Sequence, residues 1–397
     1  MAAADRADSR SFLERLSTFA LQPAHRVIGL MSGTSADGVD AALVRREEGD
    51  SGLRASLEAY LTVPYAPGLR EQVLAAAGFL PRRLAQLDVL LGEEFAHAAR
   101  RLMKESGRDR SEVDLIGSHG QTICHHPEER GGPRCTVQIG SPAVIAERTG
   151  LPVVSDFRVR DMVLGGEGAP LVPLADRLLL GRQGEIRVLL NLGGIANLTA
   201  LRGREDDLIA FDTGPGNALL DALTRLSTNG LETFDRDGAR AARGQVKEPL
   251  LAELLEHPFL RKPPPRSADR DLFGAPLAAR ILARKEQAAL DDLLATAAEF
   301  TVRSVVRAIR ELPPPYQPVD RVIVSGGGVH NRVLLSRLSD ELSGTIVETS
   351  DIHGIPADAK EAIAFAVLAR ETLLGRPGNV PAATGASKPA VLGSITP

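Results

Sequence analysis

The sequence predicts an α/β fold in two related halves, on three observations. Apolar runs of strand length alternate with helical stretches along the 397 residues, the pattern of layered α/β proteins. A plan of strand, small-residue turn and strand occurs at "VIGLMSGTSADGVDAALV" (27–44) and again at "VLLNLGGIANLTAL" (188–201). The chain is also longer than one hydrophobic core usually supports. A repeat of this kind predicts two halves, each opening with a hairpin that faces a common cleft.

Composition narrows the partners. With 43% hydrophobic and 25% charged residues the chain is ordinary for a soluble globular protein;. Aromatics make up only 4% and tryptophan is absent, so the core is aliphatic. Forty-seven basic against 51 acidic residues leave a net charge of −4, which gives no electrostatic reason to expect nucleic acid or an anionic membrane. A small-molecule ligand is the better expectation. Two cysteines, Cys124 and Cys135, are too few for a disulfide framework or a structural zinc site and suit a reducing, cytoplasmic setting. No apolar run approaches the ~20 residues of a membrane span. Residues 1–25 read as a frayed or helical extension, because Asp5, Asp8 and Glu14 interrupt any signal-peptide core;.

The elements follow in order. "RVIGLM" (26–31) is a buried strand and "VDAALV" (39–44) its return;. Pro64 and Pro67 mark a turn before helices near 69–77 and 84–104;. "DLIGSHG" (114–120) and "TVQIG" (136–140) are short strands, and "SPAVIAERTG" has the Ser-Pro start and Gly stop of a helix;. "LPVVSDF" resumes a buried strand. The second hairpin is followed by "LIAFDTGPGNALLDAL" (208–223), a strand, a Gly/Pro turn with Asp212 at its head, and a helix from about Ala218. "RKPPPRSADRDLFG" (261–274) reads as an exposed arm. "RVIVSGGGVHNRVLLSRL" (321–338) is strand, triple glycine and helix, and "DAKEAIAFAVLARETLL" (358–374) is a helix.

The glycine-rich turns carry the chemistry. Glycine lets a backbone approach an anion closely, and exposed N–H groups at a helix start favour negative charge. Each turn alone also fits a plain tight turn; three in one chain favour a phosphate site. A Walker loop and a Gly-x-Gly-x-x-Gly dinucleotide turn are both missing from the expected places. Asp37 and Asp40 fit either carboxylates that steady a hydrated Mg²⁺ or turn formers bonding their own backbone. Asp212 fits a general base at a strand end or a turn cap. His119, between glycines, reads as a hydrogen-bonding lining of a polar pocket. In "SDFRVRD" (155–161), some of Asp156, Arg158, Arg160 and Asp161 fit a sugar or anion site and others a solvated face. "CHHP" (124–127) lacks a second cluster at metal-ligand spacing, and no Gly-x-Ser-x-Gly elbow is present.

Taken in order, "GLMSGTSADGVD", "IGSHGQTI", "VQIG", "DFRVRD", "GGEGAPLVP", "NLGGIAN", "FDTGPGN", "SGGGVHN" and "KEAIAFA" resemble the anhydro-N-acetylmuramic acid kinases of bacterial cell-wall recycling, over nearly the whole chain. The resemblance implies two RNase-H-like domains of the actin and sugar-kinase ATPase kind around an ATP cleft, at 26–155 plus about 375–397 and at 156–374. It implies ATP and Mg²⁺ as cofactors, an anhydro-sugar substrate, a cytoplasmic homodimer, and neither nucleic acid nor membrane as partner. Gly33, Thr34, Ser35, Ala36, Asp37, Gly38, Val39 and Asp40 would form the first phosphate loop. Gly193, Gly194 and Asn197 would form its counterpart, with Gly326, Gly327, Gly328 and Asn331 near the nucleotide. Asp212 would be the catalytic base, with Glu361 beside the sugar and His119, Asp156 and Arg158 as further substrate contacts. Metal ligands are not assigned. Glu167 and the 266–271 loop depart from the family pattern, where glutamine and "KSTGRE" are usual. A kinase for 1,6-anhydroglucose and a non-catalytic nucleotide clamp on the same fold are the alternatives.

Overall fold

The computed structural model describes residues 12–33, 36–49, 52–127, 132–203, 208–264, 266–268, 270–283 and 288–397. The strands are β1 (Ala24–Ser32), β2 (Gly38–Gly49), β3 (Gly52–Pro64), β4 (Leu115–His126), β5 (Cys135–Ile139), β6 (Val153–Ser155), β7 (Ile186–Leu192), β8 (Ile195–Arg202), β9 (Leu208–Pro215), β10 (Arg321–Ser325), β11 (Ile346–Thr349) and β12 (Ser394–Thr396). They form two sheets, one in each of two compact units. The first unit comprises Met1–Ala175 with Glu361–Pro397, and the second Asp176–Lys360.

In the first unit the order is β12-β6-β4-β1-β2-β3, with β5 beside β4. β2 pairs antiparallel with β1 on one side and with β3 on the other, and β4 and β6 run parallel to β1. In the second unit the order β11-β10-β7-β8-β9 repeats this plan, with β7, β8 and β9 antiparallel and β10 and β11 parallel to β7. Both units therefore have the RNase-H-like arrangement, and the internal repeat reaches well beyond the two hairpins. Parallel strands need crossover connections, and helices supply them.

Side-chain alternation explains how the first sheet is covered. Ile28, Leu30 and Ile116 join a core with Leu91, Phe95, Ala98 and Leu102 of the Pro81–Glu105 helix. The intervening residues Gly29 and Gly117, paired across β1 and β4, point the other way. A Cβ on Gly29 would lie 1.8 Å from Ala362 O, and one on Gly117 2.3 Å from Phe365 O. The two glycines form a flat seat for the Lys360–Leu373 helix, whose residues 362–370 are all buried. In the second unit, Val188, Leu190 and Val322 pack with Leu294, Ala298, Val302 and Val305 of the Leu290–Arg310 helix.

The unit boundaries differ from those expected. Residues 156–175 and 361–374 belong with the N-terminal sheet. Besides the glycine seat, buried Asp161 ties this segment to the C-terminal tail: its Oδ1 accepts from Asn379 Nδ2 at 2.6 Å and from Thr384 Oγ1 at 2.7 Å. Its Oδ2 accepts from Gly168 N at 2.8 Å. Asp161 is thus a structural carboxylate, not part of a solvated face. The two chain crossings, at Ala175/Asp176 and Lys360/Glu361, are joined by a buried ion pair of Lys360 Nζ and Asp176 Oδ1 at 3.0 Å. Lys360 also donates to Ser325 Oγ at 3.2 Å. Among the described residues no helix is long and apolar enough to cross a membrane.

Candidate active site

The β1–β2 turn is held at both ends by buried hydroxyls. Ser32 Oγ lies 2.7 Å from Gly38 O and 2.7 Å from Gln121 Oε1, and accepts from the Tyr65 hydroxyl at 2.7 Å. Gln121 Nε2 donates to Gly33 O at 3.3 Å, and Tyr65 N donates to Asp37 O at 3.0 Å. Burial pushes the Tyr65 phenol well above its ordinary proton affinity, so it stays a donor;. Ala36 is buried at φ +51°, a left-handed conformation that non-glycine residues adopt only when the surroundings impose it. Val39 is buried in the core. Thr34 and Ser35 lie outside the described residues. Asp37 is exposed on the turn. Asp40 lies on β2, where its Oδ1 accepts from Thr62 Oγ1 at 2.6 Å and from the Tyr60 hydroxyl at 3.0 Å, so two β3 hydroxyls orient its carboxylate.

In the second unit the glycine-rich turns at 193–194, 214–216 and 326–328 meet. The β7–β8 turn carries Gly193 and Gly194. Gly193 O accepts from Asn217 N at 2.8 Å, and Gly194 O from Gly216 N and Ala218 N at 3.0 Å each. The first amides of the Asn217–Ser227 helix therefore close onto the hairpin and are not turned toward an anion. Asn217 Nδ2 donates to Leu192 O at 3.0 Å. Gly326, at φ +80°, fits where a Cβ would sit 2.4 Å from Asn191 Oδ1, and Gly327 and Gly328 continue the turn. Asn331 caps the Arg332–Glu341 helix, its Oδ1 accepting from Val333 N at 3.1 Å and Leu334 N at 3.3 Å; such caps are worth about 1 kcal/mol.

Asp212 lies within β9, paired with Asn197 of β8 beside a bulge. The strand runs on to Pro215, past the point where the sequence suggested its end. Asp212 Oδ2 accepts from Ala268 N at 2.7 Å, which aims the carboxylate.

His119 and Arg158 form a pair in the first unit. His119 is buried, with Nδ1 2.9 Å from Gly120 O and Nε2 3.0 Å from Arg158 Nε. A carbonyl at Nδ1 and an N–H donor at Nε2 define the neutral Nδ1–H tautomer. Both ring nitrogens are thus engaged within the protein, and His119 orients Arg158. The His119 ring packs on Phe365, centroids 4.5 Å apart. Arg158 also donates to Gly168 O at 2.8 Å. Burial pulls its guanidinium down to about 10, opposed by Glu361 and Asp161. Glu361, exposed in the first turn of its helix, is thus within electrostatic reach of Arg158. Asp156 is exposed at φ +56°, and partial desolvation raises its proton affinity.

Burial lowers His119 well below its ordinary value and His125 to about 4, with Arg158 adding to both. Unfolded, both would titrate near 6.5. The unfolded state then binds more protons below that pH, so their contribution is full above about 6.5 and is lost as pH falls toward 4. The urea midpoint is expected to drop more between pH 7 and pH 5 in the wild type than in a His119→Gln, His125→Gln variant. Equal drops would refute this.

Sequence reasoning missed Tyr65, which only its place after Pro64 at the end of β3 signals, and the buried Lys360–Asp176 pair. Among the described residues no group of three or more His, Cys, Asp or Glu side chains is arranged to hold a metal ion.

A family model described as anhydro-N-acetylmuramic acid kinase matches residues 25–397. The chain is similar to proteins named anhydro-N-acetylmuramic acid kinase from Caldanaerobacter subterraneus, at 43% identity over 93% of this chain and 96% of that one, and from Streptomyces coelicolor, at 45% over 94% of each. A third, from Xanthomonas oryzae, is 46% identical over 93% of this chain and 97% of the relative. Matched over almost its whole length, the chain belongs to the anhydro-N-acetylmuramic acid kinase family, and it is a kinase, a phosphotransferase.

Proposed function

We propose that the chain uses ATP to open the 1,6-anhydro bridge of 1,6-anhydro-N-acetylmuramic acid and to phosphorylate O6, giving N-acetylmuramic acid 6-phosphate and ADP. The observation that carries this reading is the Asp212 carboxylate, aimed by the Ala268 N–H at 2.7 Å in the unit where three glycine-rich turns meet.

The bridged substrate has no free 6-hydroxyl, so bridge opening has to accompany transfer. Asp212 takes a proton from water as the water oxygen bonds to the anomeric carbon. The bond from that carbon to O6 breaks, O6 bonds to the γ-phosphorus, and the β–γ bridging oxygen leaves with ADP. A carboxylate is needed because neutral water is a poor nucleophile, whereas phosphoryl transfer depends on positioning and charge neutralisation. Arg158 and Glu361, with Asp156, hold the sugar, and His119 keeps Arg158 in place. The turns at 33–40, 193–197 and 326–328, with Asn331, hold the nucleotide. Mg²⁺ would neutralise phosphate charge. Exposed Asp37 and the hydroxyl-oriented Asp40 suit an ion held through water and phosphate oxygens, the usual manner for this metal. The expected setting is cytoplasmic, in recycling of cell-wall amino sugars, with the chain as a homodimer.

Incubation with ATP, Mg²⁺ and each anhydro-sugar in ¹⁸O-water, quenched before hemiacetal exchange, tests the reaction. Label at the anomeric oxygen of a 6-phosphate is expected. Label in the phosphate would overturn the mechanism, and product from 1,6-anhydroglucose alone would overturn the substrate.

A further inference from the structure

Arg266 belongs to a stretch that reads as an exposed arm, yet its side chain is buried. Its Nε donates to Asp212 O at 2.9 Å, and its Nη1 to Lys262 O at 2.6 Å and Leu260 O at 3.1 Å. The guanidinium carbon lies 5.1 Å from the centre of the Phe211 ring and 5.3 Å from that of Phe259. Asp212 N donates back to Arg266 O at 3.0 Å. Two residues further on, Ala268 N donates to Asp212 Oδ2. One planar cation thus binds three carbonyls and two aromatic faces, and the segment it secures delivers the Ala268 N–H to a carboxylate on another strand.

We infer that Arg266 is a positioning residue for the reaction: it fastens Leu260, Lys262 and residues 266–268 to β9, so that the Ala268 N–H holds the Asp212 carboxylate in the orientation that accepts the proton. This rests on the reading of Asp212 as the base. The fork geometry matters, because a guanidinium presents several fixed donors in a plane whereas a lysine ammonium is a point charge on a flexible stem. Displacement of a reacting group by about 1 Å costs on the order of 10²-fold in rate.

The test measures kcat, KM for ATP and for the sugar, and urea midpoints for Arg266→Lys, Ala268→Pro and Asp212→Asn. Arg266→Lys and Ala268→Pro are each expected to lower kcat about 10²-fold with KM for ATP unchanged. A purely structural residue would move the urea midpoint and leave kcat of the folded fraction intact, and that result overturns the proposal. So does a rise in KM for ATP at constant kcat. If Arg266→Lys fails to fold, Ala268→Pro decides, since it removes the N–H while leaving Arg266 itself unchanged, and its urea midpoint reports whether the ring, which also fixes φ and restricts Ser267, has disturbed the segment. Full turnover in Asp212→Asn would remove the base reading and this inference together. An inactive Asp212→Asn beside a fully active Ala268→Pro would reject the positioning role alone.

Discussion

Asp212→Asn is expected to lower kcat by on the order of 10²- to 10⁴-fold, the usual contribution of a general base, while ATP affinity stays at the wild-type level. The substitution is nearly isosteric, and the asparagine carbonyl can still accept from Ala268 N, which Asp212 Oδ2 meets at 2.7 Å. The main-chain bonds of residue 212 to Arg266 do not involve the side chain at all. What changes is the ability to take up a proton from water. A nucleotide clamp has no use for that ability, so the result separates an enzyme from a clamp. Single-turnover kinetics with calorimetric titration of a non-hydrolysable ATP analogue provides the measurement. A kcat within a few fold of wild type would sink the proposed chemistry.

The second large effect is on stability. Gly29→Ala is expected to destabilise the first unit by about 3 kcal/mol or more, at or beyond the upper end of ordinary overpacking. The new methyl would lie 1.8 Å from Ala362 O and 2.8 Å from Ala366 N. Both are backbone atoms of a helix, with no flexible side-chain end to swing aside. The helix would have to lift from β1, carrying Glu361 with it and drawing Phe365 away from His119. Gly78→Ala is the control, since nothing lies within 4 Å of a Cβ there. Urea unfolding of the two variants should differ clearly; equal midpoints would mean that the helix does not rest on these glycines.

Much of the architecture is legible in residue order because it depends on local chemistry. Small-residue turns between apolar runs mark the hairpins at 27–44 and 188–201, and both form as expected. What escapes is whatever depends on residues far apart in the chain. In the Lys360–Leu373 helix, residues 362–369 are apolar without a break, so this stretch of its sequence gives no direction to a face. Its partners, Gly29 and Gly117, become informative only once β1 and β4 are paired. His119 between glycines reads as a ligand contact, but the Arg158 guanidinium, 39 residues later, occupies its second nitrogen. Arg266 looks solvated among prolines and charges, and only Phe211, Asp212 and Phe259 reveal it as buried. The glycines near 193 and 216 suggested amides open to an anion; their mutual hydrogen bonds consume several of those amides.

The discontinuity of the first unit bears on how the protein is made. Residues 176–360 form a contiguous unit and can complete their sheet as soon as they have left the ribosome, since domains generally fold as units during synthesis. The N-terminal sheet cannot. Its glycine seat stays bare until residues 361–373 emerge, and the edge of β6 stays open until β12 pairs with it. The earlier-made half is therefore the later one to close, and it waits with apolar surface and a strand edge exposed. That interval is when a nascent chain of this sequence most needs protection from its neighbours.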